Sequence, residues 1–498
     1  MKKIILLIIL PQVFLFGQVR EEVRAVWLTT AFGLDWPKSH DSQTQKNEII
    51  KILDGLKDAN FNTIMLQVRA RGDLIYPSKI EPWAKALTGK LGGNPGYDPL
   101  TFIIAESHKR GMEIHAWWNV YKVYGMGSPS ETSPKHVVLK YSDLCKKYHD
   151  EWWMDPGFPE TRKYLLNVIM EMVRNYDIDG IHLDYLRYPN KDFNDDNTFR
   201  KFGNTKNKFE WRRNNITAFV ESLYDSLKAV KPYLKLGCAP VGIYKNTEKI
   251  SGWEAYYDTF QDPVKWIRDK KMDYISPQTY WSIKSPPHYN LVIKNWRDII
   301  NERHIYPGIA AFKLGGNNNN WVPDEILAQI DTLRKLDIKG EVFFRTEDLI
   351  NNEKDILTLI KQNKFKYPAN IPPMPWKNGN KPRPPERLTS LKYSDKELEL
   401  VWHSPSETVD SAAVCYINIY ASNKYPVDIS DPKNIFELRV PIFKNAVLLN
   451  LRYLRDDKYY FVITALDRTN NESLPSNATT FSIGPFNNPI IVAQDQTK

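Results

Sequence analysis

One strand-like segment ends in a cluster of polar side chains that could do chemistry. Residues 178–189 read IDGIHLDYLRYP, in which an apolar strand pattern runs into Asp184 and Arg187. Because side chains alternate along a strand, His182 and Asp184 share one face of it. An acidic residue at the C-terminal tip of a buried strand is typical of a catalytic carboxylate at the mouth of an α/β barrel. The alternative is a structural ion pair between Asp184 and Arg69 or Arg187.

Other strand-like segments also end in polar or aromatic side chains. Burying such groups without partners costs several kcal/mol, so their placement at many strand ends is hard to explain as core packing. If the strands form one barrel, these residues converge on one face and predict a functional site there. Besides Asp184, the candidates in chain order are Asp35, Trp36, Gln67, Arg69, Asp73, His115, Trp117, Asn119, His182, Tyr185, Arg187, Gln278, Tyr280, Trp281 and Glu347.

Carboxylates, amides and aromatic rings together favour glycoside hydrolysis. That reaction uses two carboxyl groups, one as acid and one as nucleophile or base, while aromatic rings stack on sugar faces and amides bind hydroxyls. We predict Asp184 as the nucleophile or base. The proton donor is predicted to be Glu347, or else Asp73, since the fifth strand-like segment (CAPVGIY) has no acid at its tip.

Several other chemistries lack their usual motifs. The sequence contains no GxSxG motif of the kind found in esterases and no phosphate-binding loop. It also lacks the HxH and HExxH spacings that are typical of metal sites. We therefore predict no metal and no cofactor. A metal-dependent deacetylase or hydrolase stays open as an alternative, since His115, His182 and Asp184 could meet in space.

The scaffold is predicted from an eightfold alternation of strand and helix patterns between residues 22 and 362. Such alternation indicates parallel βαβ units, and eight units favour a closed (β/α)₈ TIM barrel. Three connections look long, at 71–96, 123–158 and 245–261, and in this fold they would line a cleft. A doubly wound sheet is the alternative, but no GxGxxG follows the first strand.

The remaining chain divides into four further segments. Residues 1–17 have the basic start and short apolar run of a signal peptide, so we predict export to the periplasm, the extracellular space or the cell envelope of a bacterium. The barrel would occupy 18–365, followed by a proline-rich linker at 366–385. Short alternating strands predict an all-β immunoglobulin-like sandwich at 386–485, and 486–498 form a tail.

Composition limits the partners. The 68 basic and 59 acidic residues give a net charge of +9 but are interspersed, so no nucleic-acid-binding arm is visible. No transmembrane segment follows the signal peptide. Aromatic residues make up 13% of the chain, including 15 Trp and 27 Tyr, and a glycan partner would use such rings. The sequence does not determine the oligomeric state.

Several blocks of the sequence resemble a known family. EVRAVWLTTAFGLDWP, LQVRARGDLIYPS, EIHAWWNVYK, DGIHLDYLRYP, DYISPQTYW and GEVFFRTEDL resemble the family-ten glycosyl-hydrolase-like proteins over residues 21–362. The resemblance implies a (β/α)₈ barrel, export to the bacterial envelope and glycan hydrolysis, in some relatives of peptidoglycan strands stripped of their peptides. It marks Asp184 as the strand-four acid and Asp73, His115 and Asn119 as pocket residues.

The C-terminal part has a resemblance of its own. Residues 384–483, with Trp402 and an alternating segment around Phe461, resemble a fibronectin type III domain, which implies a spacer or binding module. Together these observations predict an exported glycoside hydrolase that cleaves peptide-stripped peptidoglycan or another envelope or dietary polysaccharide. The alternative is a non-catalytic glycan-binding or scaffold protein, because a fold does not imply an activity.

Overall fold

The computed structural model describes residues 19–125, 135–203, 205–315, 321–404, 414–442, 445–451, 454 and 458–482. The predicted signal peptide and the predicted tail lie outside the described residues. None of the described helices has the length and hydropathy needed to cross a membrane.

Eight parallel strands form a closed ring. Each strand pairs with the next along the chain, and the eighth pairs with the first. The seventh strand is in two pieces: the first pairs with the sixth strand and the second with the eighth. It is interrupted at Pro307, which has no N–H for a ladder. The strands are β1 Val23–Leu28, β2 Thr63–Arg69, β3 Glu113–Asn119, β4 Gly180–Asp184, β5 Lys235–Cys238, β6 Tyr274–Ile275, β7 His304–Ile305 with Gly308–Ala310, and β8 Gly340–Phe344.

A helix follows each strand, as the alternation predicts. Helix α1 buries Ile49, Leu53 and Leu56 at helical spacing, and it begins where Asp41 accepts the N–H of Thr44. The helices are α1 Ser42–Asp58, α2 Pro99–Lys109, α3 Pro159–Asn175, α4 Lys208–Val230, α5 Pro263–Arg268, α6 Tyr289–Ile299, α7 Pro323–Lys335 and α8 Ile356–Leu359, which continues as a π-helical turn at Ile360–Lys364. The predicted TIM barrel is confirmed.

The loops at the C-terminal ends of the strands carry structure of their own. The loop between β3 and β4 holds a three-stranded antiparallel sheet of Lys122–Gly125, Glu151–Met154 and Cys145–Tyr148. Short helices occupy other loops, at Lys85–Thr88, Val137–Lys140, Asp196–Phe202, Ala255–Asp258 and Thr346–Ile350. These additions build up the walls around the mouth of the barrel.

The C-terminal part is all-β, as predicted. A three-stranded sheet packs on a four-stranded sheet, and their shared core contains Leu400, Trp402, Ile419 and Phe461. The fibronectin type III assignment stays a prediction. The strands are β9 Glu386–Ser394, β10 Glu397–His403, β11 Val414–Ser422, β12 Ile435–Pro441, β13 Ala446–Asn450, β14 Lys458–Asp467 and β15 Thr479–Ser482, in the orders β9-β10-β13 and β12-β11-β14-β15.

The sandwich contacts the N-terminal face of the barrel. Arg439 of β12 is buried, with Nη1 3.3 Å from a carboxylate oxygen of Glu113 and Nη2 3.4 Å from one of Asp179. In the segment predicted to be a linker, Ile371 and Met374 are buried against the interior of the barrel. The sandwich therefore lies opposite the C-terminal face, where the candidate site residues converge.

Candidate active site

A cavity of about 290 Å³ opens at the C-terminal ends of the barrel strands. Its lining comes from β1, β2, β3, β4 and β8, from segments that follow these strands and from the segment after β6, so it lies where the sequence places the functional face. Seven of the predicted residues line it: Gln67, Trp117, Asn119, Asp184, Tyr185, Gln278 and Tyr280.

Asp184 is the acidic side chain of this cavity. It ends β4 and is only 8% exposed. Burial raises the pKa of Asp184 to about 6, although the N–H of Tyr185 and the side chain of Gln278 donate hydrogen bonds of 2.7 and 3.1 Å to Oδ1. Those donors favour the ionised form, so the raised pKa is a consequence of desolvation. A carboxyl with a pKa near 6 can give and take a proton close to neutral pH.

Trp117 brings a buried hydrogen-bond donor that is only weakly engaged by Asp184 to the same place. It points from β3 into the cavity and lies beside Asp184, whose pKa it lowers. Its indole N–H is buried and has no acceptor at hydrogen-bond geometry among the described residues. Leaving such a donor unpaired costs about 1–3 kcal/mol. An oxygen of a bound ligand would satisfy it.

Three aromatic rings form one wall of the cavity. Trp27 packs edge-on against Tyr280 and Phe344, with ring centroids 6.5 and 6.2 Å apart. Tyr280 and Phe344 stack at 5.9 Å. Trp27 and Phe344 are not among the sequence candidates, because they read as ordinary core residues of their strands. Flat aromatic surfaces next to an acid suit a sugar ring.

A hydrogen-bonded chain runs through the barrel core below this wall. Trp27 Nε1 donates to His182 Nε2 at 2.9 Å, which leaves the His182 proton on Nδ1, 3.2 Å from the Tyr274 hydroxyl. Tyr274 lies 2.7 Å from His115 Nδ1, and His115 Nε2 lies 3.1 Å from Glu113. Burial lowers the pKa of His182 to about 3, so this imidazole is neutral. Both histidines lie beneath the cavity and hold Trp27 in place; neither lines it.

Arg69 points away from the cavity because of a β-bulge. Gln67 pairs with Trp117 and Arg69 pairs with Trp118, so one extra residue stands between them on β2. Because residues 67 and 69 of a regular strand would share one face, Arg69 is predicted to join Gln67 at the site; this prediction fails, since a bulge turns the next side chain to the other side. Arg69 is fully buried and makes two hydrogen bonds of 2.7 and 2.6 Å to the carboxylate of Glu81.

The structure does not bring Glu347 or Asp73 into the cavity of Asp184. Glu347 lies in the first turn of a short helix after β8, and its carboxylate pairs with Arg345 and, at 2.6 Å, with Lys38. The Asp73 carboxylate accepts the backbone N–H groups of Arg71 and Lys85 at 3.0 and 3.3 Å. Among the described residues, Asp184 is the one carboxyl that lines this cavity.

The other candidates have structural partners. Burial raises the pKa of Asp35 to about 6, and Asp35 accepts the Thr29 N–H at 2.8 Å and the Arg345 side chain at 3.0 Å. Trp36 is a core residue. Trp281 lies outside the cavity lining, against Gly242. The Arg187 guanidinium lies between the rings of Trp153, Tyr185 and Trp253, at 5.2, 5.1 and 4.9 Å from their centroids.

A second cavity of about 480 Å³ adjoins the first. The two share the side chains of Phe32, Arg71 and Tyr124, and Asp73 lines the second one. Phe32 is 64% exposed and has a φ of 57°, an uncommon conformation for a bulky residue. These three residues are missing from the predicted set because they lie in loops beyond the strand tips, although Phe32 and Arg71 stand within the family-like blocks.

In the part of the chain that the structure describes, no group of three or more His, Cys, Asp or Glu side chains is placed to hold a metal ion. His115 and His182 instead use both ring nitrogens in the hydrogen-bonded chain.

Comparison with known proteins places this barrel in a family. The model of the family described as glycosyl hydrolase-like 10 matches residues 22–323. The chain belongs to the glycosyl hydrolase-like 10 family. This confirms the predicted membership, and the prediction of a glycoside hydrolase is confirmed at the level of the family.

Relatives within the glycosyl hydrolase-like 10 family share most of the chain. The glycosyl hydrolase YngK of Bacillus subtilis is 32% identical over 486 residues, covering 93% of this chain and 94% of that protein. The glycosyl hydrolase DigH of Escherichia coli K12 is 33% identical over 374 residues, covering 67% of this chain and 85% of that protein. Among solved structures outside these relatives, the PgaB glycoside hydrolase domain of Bordetella bronchiseptica is similar, with 11% identity and a TM-score of 0.49 over 69% of this chain and 99% of that domain.

Proposed function

We propose that this protein hydrolyses glycosidic bonds with Asp184 as the general acid, a different role from the nucleophile or base that the sequence predicts for it. The observation that carries the proposal is the buried carboxyl of Asp184, with a pKa raised to about 6, at the mouth of a barrel cavity with an aromatic wall. A general acid must hold its proton near working pH and give it to the leaving oxygen as the C1–O bond breaks. After cleavage, the Asp184 carboxylate can take a proton from the attacking water.

The rest of the cavity supports binding of a sugar. The indole N–H of Trp117, which has no well-aligned acceptor among the described residues, can donate to a sugar oxygen, and the Gln278 amide orients the Asp184 carboxyl. The rings of Tyr280 and Phe344 offer an apolar face for stacking. Pairing a positioned acid with such surfaces is how glycosidases hold a sugar ring against the proton donor.

For the substrate, we propose a glycan of the bacterial envelope, with peptide-stripped peptidoglycan strands as the first choice. Family membership supports a glycan as the substrate class, since the relatives are named as glycosyl hydrolases, and the choice of peptidoglycan follows from the family resemblance of the sequence. Export, to the periplasm, the extracellular space or the cell envelope, is part of the same proposal and follows from the pattern of residues 1–17.

Asp184→Asn tests the assignment. The variant keeps the shape of the side chain but cannot donate a proton, so reducing ends released from peptide-stripped peptidoglycan should fall by a factor of about 10² or more. Asp337→Asn removes a carboxylate at a position that is 82% exposed and is the matched control. If Asp184→Asn cleaves the glycan as fast as wild type, Asp184 is not the acid.

A second candidate is a protein of the same fold that binds glycan without cleaving it. The observation in its favour is that Asp184 has no second carboxyl beside it in the described cavity, while Glu347 and Asp73 have other partners. Wild-type protein that binds the glycan strands and releases no reducing ends would establish this alternative over the first.

A further inference from the structure

The boundary between the two cavities contains an arginine, Arg71, that has no charged partner among the described residues. The guanidinium of Arg71 lies between two rings, with its carbon 4.4 Å from the centroid of Phe32 and 4.1 Å from that of Tyr124. In the described chain no carboxylate lies within ion-pair distance of it, and one hydrogen bond, of 3.1 Å to the Gly125 carbonyl, engages its side chain. A guanidinium has five N–H groups, so this one is far from saturated.

The backbone holds this arginine rigidly. The N–H of Arg71 donates to Asp73 at 3.0 Å, and its carbonyl lies 2.7 Å from Nε2 of His136. At Gly72, with φ of 67°, an added Cβ would lie 2.9 Å from the same His136 nitrogen. The backbone on the C-terminal side of Arg71 is therefore closely packed against His136. A group held this way loses little conformational entropy when a ligand binds.

The surrounding charges favour an anion at this position. Lys85 lines the second cavity, and its ammonium makes no ion pair within the described residues. The acidic residue there, Asp73, directs its oxygens to backbone N–H groups. Lys122, in the first cavity, already pairs with Glu151. Among the described residues, Arg71 and Lys85 thus bring to the second cavity two cations that make no ion pair, beside the one carboxylate of Asp73.

We propose that Arg71 binds a carboxylate carried by the sugar chain, so that the substrate is an acidic glycan. The rings of Phe32 and Tyr124 pack against the guanidinium, and Nε and Nη1 have no hydrogen-bond partner among the described residues, so the guanidinium can bind a carboxylate through two N–H groups. Lys85 adds a second positive charge. This inference rests on the proposed function for the glycan but concerns recognition, not the proton transfer at Asp184.

Two kinds of sugar carry such a group, and both belong in the test. One is the lactyl ether of a muramic acid residue whose peptide has been removed, and the other is the C6 carboxylate of a uronic acid. Each is compared with the same oligosaccharide after its carboxyl groups have been reduced to alcohols. Calorimetry in the Asp184→Asn background measures binding without turnover.

In that background, we expect at least one acidic oligosaccharide to bind about 10- to 100-fold more tightly than its reduced form. This factor is the usual contribution of one hydrogen-bonded contact between charged groups. Arg71→Gln should remove this difference and leave the affinity for the reduced form unchanged. Arg71→Lys, which keeps the charge but loses the planar pair of donors, should keep part of it. Arg268→Gln is the control, since it removes an arginine whose side chain is 71% exposed.

Three results would overturn the proposal. The acidic and reduced forms could bind equally well, neither acidic glycan could bind, or Arg71→Gln could weaken both forms by the same factor, which would indicate a contact with a sugar hydroxyl. Failure of the proposed hydrolysis is a separate outcome: wild-type protein would then bind the acidic glycan through Arg71 and release no reducing ends.

Discussion

The raised pKa of Asp184 predicts that the catalytic carboxyl destabilises the fold above pH 6. An unfolded aspartate titrates near pH 4, whereas Asp184 in the folded barrel has a pKa of about 6. Between these values the folded state binds the proton more tightly than the unfolded state. Stability from this group is therefore fully present below about pH 4 and is lost as the pH rises through about 6.

The expected magnitude follows from the shift. Two pKa units at 1.36 kcal/mol each amount to about 3 kcal/mol. Asp184→Asn has no proton to lose, so it escapes this cost. The unfolding free energy of Asp184→Asn minus that of wild type should rise by about 3 kcal/mol between pH 4 and pH 8. Any change in hydrogen bonding that the amide causes at all pH values cancels in this comparison.

Urea unfolding followed by tryptophan fluorescence measures this difference at a series of pH values. Asp35 also has a pKa of about 6, but it is present in both proteins and cancels. Asp337→Asn controls for the removal of an exposed carboxylate. A difference between Asp184→Asn and wild type that stays constant from pH 4 to pH 8 would refute the explanation of the raised pKa by burial.

Three further outcomes are expected. The kcat/KM of wild type for glycan should fall as the pH rises above about 6, because Asp184 must be protonated to act as the acid; a flat profile there contradicts this role. Arg439→Ala should destabilise the protein by about 3–5 kcal/mol in urea unfolding, because it leaves two buried carboxylates less compensated, and a loss below about 1 kcal/mol argues against the interface. Glu347→Gln should cleave glycan at close to the wild-type rate; if it is as impaired as Asp184→Asn, Glu347 is the second carboxyl.

The pattern of the sequence was enough to predict the barrel and the position of Asp184. Strands and helices have different hydrophobic periods, and eight alternations can be counted without knowing any long-range contact. The tip of each parallel strand lies at the same end of a barrel, so residues such as Trp117 and Gln278 could be placed near Asp184 from their position alone.

The same reasoning fails where one local irregularity changes the direction of a side chain. The bulge in β2 turns Arg69 away from the cavity, and no residue in the segment LQVRARGD predicts that a bulge forms there. Nor does the sequence show which cation a carboxylate will meet. Glu347 is only two residues from Arg345 in the chain, whereas Lys38 is distant in sequence and contacts Glu347 only in the folded protein.

By itself, then, the sequence determined the fold, the family and the strand that carries the acid, because these depend on local periodicity and on short blocks of residues. Only the tertiary structure decided which side chains meet around Asp184. It brought Phe32, Arg71 and Tyr124 together from three different loops, and it placed the sandwich on the opposite face of the barrel. Those contacts depend on loop conformation and strand register, which are settled by packing between distant parts of the chain.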